Sequence, residues 1–299
     1  MCEYGPARWD NPRRAGSPVP GAQARYPALS VGPGFDATRF EGTVHSVFAR
    51  ALNIQLDGSR LAALVAPDLP NAPATIRVDL GGAPFHAIAA PGQTAACRAG
   101  ILRLGHAGNI IDLRQAEAWH PKPPPSSVPG KEAWQSLYAI ALSSPRLGVL
   151  TEWPGLKICA KAGAFAGLSA AELIPVLASL VGRGPGLTPA GDDFIAGLAA
   201  ALHWSAQASA LARHIPGWAL RTTDVSRWLL LDSNSGQIAE PVCDLGAALY
   251  GQVDQLPLAA DAVMKLGHLS GLAMILGMLA GYAFAWTGLA APNDIGLAA

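Results

Sequence analysis

The sequence predicts an α+β protein: a small antiparallel β barrel or sandwich followed by an all-α helical domain. Three observations carry this. Short apolar runs separated by turn residues fill the stretch up to residue 120. A proline-rich segment follows, and beyond it the text changes to capped, helix-length segments. The strand-length runs are 43–48, 51–56, 61–66, 74–80, 85–90, 99–104 and 109–113, punctuated by Asp57-Gly58, Gly81-Gly82, Pro91-Gly92 and Gly105-His106-Ala107-Gly108. Asp-Gly between apolar runs is a strong hairpin signal, and evenly spaced short strands suit a barrel or sandwich.

Residues 121–130 hold five prolines (Pro121, Pro123, Pro124, Pro125 and Pro129), which neither a helix nor a central strand accommodates. This reads as an extended linker between a β-rich domain over 41–120 and a helical domain over 131–299. Helices are predicted over 131–143, from a Ser169-Ala170-Ala171-Glu172 capping box to Leu180 with a bend at Pro175, and over 189–203, 223–231, 237–250, 258–266 and 268–286. Residues 1–40, rich in Pro and Gly, read as a flexible leader without the apolar core of a secretory signal, so a cytoplasmic protein is expected.

The 299 residues balance 21 Lys+Arg against 21 Asp+Glu, and only 14% are charged. Nucleic acid is not an expected partner, because its backbone recruits surplus basic side chains. Cys2, Cys97, Cys159 and Cys243 are scattered, as suits buried thiols in a reducing compartment. The segment 266–293 lacks charge and carries two G-x-x-x-G spacings, so a membrane span is one reading and a buried central helix the favoured one.

The least ordinary text runs from Arg183 through Gly184-Pro185-Gly186-Leu187-Thr188-Pro189-Ala190-Gly191-Asp192-Asp193. Thr188 suits an N-cap and Pro189 a first helical position, so a helix begins here behind a glycine-rich loop. Such a start offers N–H donors to a phosphate or carboxylate, with Arg183 as an added cation. Asp192 and Asp193 place two negative charges in the same turn. Either they hold a divalent ion, with Mg²⁺ the candidate, that bridges to a ligand oxygen, or they compensate the helix dipole. No organic cofactor is expected.

This ten-residue stretch resembles the G-x-G-L-T-P-x-G-D-D signature of the AllH-like family, associated with the oxamate carbamoyltransferase of allantoin breakdown. Thr222-Thr223-Asp224-Val225-Ser226 is similar to the family's T-T-x-x-S element. Gly267-His268-Leu269-Ser270-Gly271, with Gly277, is similar to its G-H-x-S-G-x-D-x-x-x-G element, except that Ala273 stands where an acidic residue is expected. Val44-His45-Ser46-Val47-Phe48 resembles the usual opening. The resemblance implies carbamoyl transfer between carbamoyl phosphate and oxamate, by a chain working with non-identical subunits; a homo-oligomer is a further option for its assembly. By residue type, Asp192, Asp193 and His268 are the catalytic candidates, with Asp192 and Asp193 the metal ligands. Arg183, Gly184, Gly186, Thr188, Gly191, Thr222, Thr223, Ser226, Ser270 and Gly271 are the substrate-binding candidates.

His45, His86 and His106 read as solvated or hydrogen-bonded histidines, and His203 with Trp204 as packing. Two competing classes stand beside the transferase subunit. One is a non-catalytic scaffold sensing a phosphorylated or carboxylate metabolite; the other is a membrane-associated helical protein.

Overall fold

The computed structural model describes residues 24–56, 60–105, 108–251 and 253–287. Asp57-Gly58, His106, Cys2, the first part of the expected leader and the end of the expected span lie outside the described residues.

Nine strands are described: β1 (Arg25–Val31), β2 (Arg39–Val47), β3 (Ala51–Leu56), β4 (Leu61–Val65), β5 (Thr75–Val78), β6 (Thr94–Arg98), β7 (Ile101–Leu104), β8 (Asn109–Asp112) and β9 (Glu117–Ala118). They run in the order β5-β4-β3-β2-β6-β7-β8-β1, and β1 pairs back onto β5, closing an eight-stranded barrel that β9 extends at β1. Alternation drives the closure. On β3, Leu52, Ile54 and Leu56 point inward, where they meet Leu64, Ile76, Leu102 and Ile111. Closure also removes the bare edges that invite aggregation.

Four expectations are corrected. The barrel is not wholly antiparallel, because β4–β5, β1–β8 and β1–β9 pair in parallel. β1 and the start of β2 fall inside the expected leader. The run at 85–90 contains a 3-10 turn, Phe85–Ala87, in place of a strand, with Phe85 and Ile88 buried. β6 was not foreseen: it joins β7 through Ala99 and Gly100, whose φ values of 48° and 73° form a tight hairpin turn.

The helices are α1 (Lys131–Leu142), α2 (Arg146–Glu152), α3 (Ala170–Leu180), α4 (Ala190–Trp204), α5 (Ile215–Ala219), α6 (Asp224–Asn234), α7 (Glu240–Ala248), α8 (Leu256–Met264) and α9 (Ser270–Thr287). The capping box opens α3 as predicted, with the Glu172 N–H donating to Ser169 Oγ at 3.3 Å and the Ser169 N–H to Glu172 Oε2 at 2.8 Å. α4 and α9 form the centre, and every residue of α4 except His203 is buried. Their apolar character all round reflects this burial. No helix among the described residues is long and apolar enough to cross a membrane, which removes the spanning reading of 266–293 for the part described.

The barrel and the helices keep separate cores and meet through polar ties. Arg60, at the start of β4, donates twice to Asp232 on α6, at 2.7 and 3.0 Å, and its guanidinium lies over the Trp228 ring. Burial pushes the Asp232 carboxyl up and Arg60 holds it down. Asn71 donates from its backbone and side chain to Glu240 on α7. Removing one member of a buried pair strands the other. Arg60→Met is therefore expected to cost about 2 kcal/mol, read as a lower urea midpoint. An unchanged midpoint would show that packing alone joins the two parts.

Candidate functional site

The loop between α3 and α4 turns on three glycines in the left-handed region, Gly182 (φ 71°), Gly184 (φ 109°) and Gly186 (φ 97°). A Cβ on Gly184 would also sit 2.9 Å from the Ala190 nitrogen, so both angle and space call for glycine there. α4 begins one residue later than expected. Its N-cap is Pro189, without a side-chain cap, and the Thr188 hydroxyl instead pairs with Ser270 Oγ at 3.1 Å.

The first-turn N–H groups are largely spent. Gly191 donates to the Arg183 carbonyl at 2.8 Å, and Asp192 and Asp193 to the Pro189 carbonyl at 2.9 and 3.1 Å. The N–H donors of Gly184, Gly186, Leu187 and Thr188 have no partner among the described residues, so the unspent backbone donors lie on the loop and not at the helix end.

Two distant segments converge on this turn. Asp192 is buried; its Oδ1 accepts from the Gly182 N–H at 2.8 Å and its Oδ2 from the Thr222 hydroxyl. Thr223 caps α6 by accepting from the Ser226 N–H at 3.1 Å, while its hydroxyl donates to the Leu187 carbonyl. Ser270, at the start of α9, meets Thr188. Burial raises the Asp192 pKa, and the Thr222, Gly182 and Ser226 donors lower it. Asp192 thus ties the loop to the start of α6. Thr222→Val leaves one buried carboxylate oxygen without its donor. A loss of about 1–2 kcal/mol is expected by denaturant titration, and no loss would show that the tie is redundant.

Asp193 differs. Both of its carboxylate oxygens are sealed from solvent without a hydrogen bond, although the Thr188 and Ser270 hydroxyls lie nearby and their mutual contact leaves one O–H uncommitted. Burial pushes its carboxyl up to about 8; the Asp192 charge adds to the rise, and the Ser270 and Thr188 hydroxyls oppose it. Near neutral pH the group carries its proton. It is then a buried, neutral acid with an unused donor.

The remaining candidates have plainer surroundings. Arg183 is exposed, and its Nε donates to the Ser179 carbonyl at 3.2 Å, at the end of α3. Gly191 and Gly271 are points of close backbone approach: a Cβ there would stand 2.1 Å from the Leu180 oxygen and 2.0 Å from the Val263 oxygen. His268 is exposed in the turn before α9, two residues from Ser270. Ser226 is buried, its hydroxyl near enough to Asp192 to lower its pKa but not in a well-formed hydrogen bond, and Ala273 is buried within α9. No group of three or more His, Cys, Asp or Glu suited to a metal occurs among the described residues.

One residue read as bland lies beside these segments. His45 on β2 places its Nε2 3.9 Å from Asp224 Oδ2, at the first residue of α6. The signal was its place in the Val44–Phe48 stretch, next to Ser46, which accepts from Asn53 at 2.9 Å. A contact between a strand and a helix 179 positions apart has no sequence signature of its own.

Comparison with known families resolves the resemblance. The family described as oxamate carbamoyltransferase subunit AllH matches residues 180–282, which contain the loop, the threonine pair and the start of α9, and the AllH family N-terminal domain matches residues 28–118. The chain belongs to the AllH family. The N-terminal match begins within β1 and runs to the end of β9, so it covers nearly the whole barrel. No curated protein and no solved structure matches the chain.

Proposed function

We propose that this chain is a subunit of an oxamate carbamoyltransferase in allantoin-derived nitrogen breakdown, and that it binds carbamoyl phosphate where the 182–188 loop meets Thr222, Thr223 and Ser270. The observation that carries this reading is Asp193, a fully buried carboxyl without a hydrogen bond where the 182–188 loop, the Thr222–Thr223 pair and the start of α9 meet. In the reaction, the oxamate amide nitrogen attacks the carbamoyl carbon. A C–N bond forms, the C–O bond to phosphate breaks, and the nitrogen's proton leaves with the phosphate. The loop N–H groups cradle the phosphate. Thr188 and Ser270, half-buried, turn from each other to the ligand, and protonated Asp193 donates to the carbonyl oxygen as charge builds there. Asp192 and the two threonines hold the loop in place.

Mg²⁺ fits only partly. Asp193 offers two free oxygens beside two hydroxyls, but both oxygens of Asp192 are occupied, and among the described residues no third acidic or imidazole ligand completes a metal-binding group. Asp193 would hold such an ion together with the substrate phosphate, and the ion would neutralise phosphate charge. The test is thermal unfolding with carbamoyl phosphate, with and without Mg²⁺, on the chain alone and on the chain assembled with its partner subunits. Saturating ligand is expected to raise Tm by about 2–4 °C. No shift in either form overturns the binding role and leaves the non-catalytic scaffold.

A further inference from the structure

A cavity of about 430 Å³ lies between the barrel and the helices and shares no residue with the α4 turn. Its barrel wall is one row across the sheet: Arg77 on β5, Ser30 on β1 and Glu117 on β9 are direct lateral partners. Its opposite wall is α7, where Glu240 and Asp244 stand one turn apart, and residues 119–122 close it along the linker with Lys122.

The polar groups here are held in place. Buried Ser30 donates to Asn71 Oδ1 at 2.6 Å, and Asn71 in turn donates to Glu240 at 2.9 Å. Arg77 is anchored by Nε and Nη2 to the Pro67 carbonyl, leaving Nη1 without a partner among the described residues. Burial and the Glu240 charge raise the Asp244 carboxyl, and Lys122 lowers it. Arg77 on the barrel wall and Lys122 on the linker, close enough to Asp244 to lower its carboxyl, share with Glu240 and Asp244 the lining of a gap whose size falls within the range of about 300–1,000 Å³ typical of small-molecule sites, which favour such junctions. Two cations against three carboxylates, Glu117 included, disfavour a dianion such as phosphate, while opposed charges suit a ligand bearing both signs.

We propose that this cavity binds a small zwitterion of amino-acid size, its carboxylate on Arg77 and Lys122 and its ammonium on Glu240 and Asp244. The site is independent of carbamoyl transfer. The test is thermal unfolding of the full chain with the standard amino acids at millimolar concentration, together with their N-acetylated and amidated forms and inorganic phosphate. At least one amino acid is expected to raise Tm by about 2–4 °C, while its capped forms and phosphate do not. Lys122→Met and Asp244→Asn change exposed side chains, so each should fold as the parent does, and each should abolish the shift. The proposal is overturned if no amino acid shifts Tm, if a capped form or phosphate shifts it equally, or if the shift survives in either variant. Because carbamoyl phosphate is read separately, failure here leaves the α4 site unaffected, and the reverse holds.

Discussion

Gly277→Ala is expected to destabilise the protein by about 3 kcal/mol or more, although it adds a single methyl group. The two central helices cross with their backbones in contact. A Cβ on Gly277 would stand 1.9 Å from the Phe194 carbonyl oxygen, and one on Gly197 would stand 2.1 Å from that of Met274. The obstacles are main-chain atoms of buried helices, which cannot rotate away as a flexible side chain can. Either the helices separate along their length or α9 shifts, and both lose packing around Tyr282, Leu198 and Ile275. Gly148 on α2 is the control: nothing lies within 4 Å of its Cβ position, so Gly148→Ala should gain about 0.5–1 kcal/mol from helix propensity. Urea unfolding measures both. A Gly277→Ala variant as stable as the parent would mean that the crossing is looser than described.

The second large effect is a pH dependence centred on Asp193. Its carboxyl is raised to about 8 in the folded chain, against about 4 in an unfolded one. Between these values the folded state holds a proton that the unfolded state has lost, so stability falls as pH rises. The favourable contribution is complete below about pH 4 and is lost as pH climbs through about 8. Asp193→Asn keeps the shape, cannot ionise, and is expected to flatten this slope. The variant should exceed the parent in stability at pH 8 by several kcal/mol, on the order given by linkage, and match it near pH 4. Parallel stability curves for the two proteins would show that Asp193 is ionised and solvated.

The expected elements that formed are those with local causes. The capping box of α3 needs two side chains three residues apart, and Ser169 with Glu172 supplied them. The start of α4 was legible to within one residue because glycine and proline are restrictive there. What could not be read depends on distant partners. β1 contains Pro27 and sits in leader-like text, and it becomes a strand because β5 and β8 accept it. The Ala99-Gly100 turn was hidden because alanine is unusual at positive φ. The site itself divided in the same way. The loop glycines and both aspartates were identifiable, but the different fates of Asp192 and Asp193 depend on Thr222, thirty residues away. His45 was set aside because only the fold brings it to Asp224.

The proposed role of the α4 turn requires Asp193 to be a buried donor held ready for a ligand. Asp193→Leu in the chain assembled with its partner subunits tests this most directly, with carbamoyl transfer to oxamate as the readout and thermal unfolding near pH 6 as the check on folding. The expected result is a turnover loss on the order of 100-fold with Tm at or above that of the parent, because leucine fills the space of a group that made no hydrogen bond. Turnover within about twofold of the parent, too small a change for the loss of a donor at the reacting carbonyl, would contradict the account and reduce the α4 turn to a structural one.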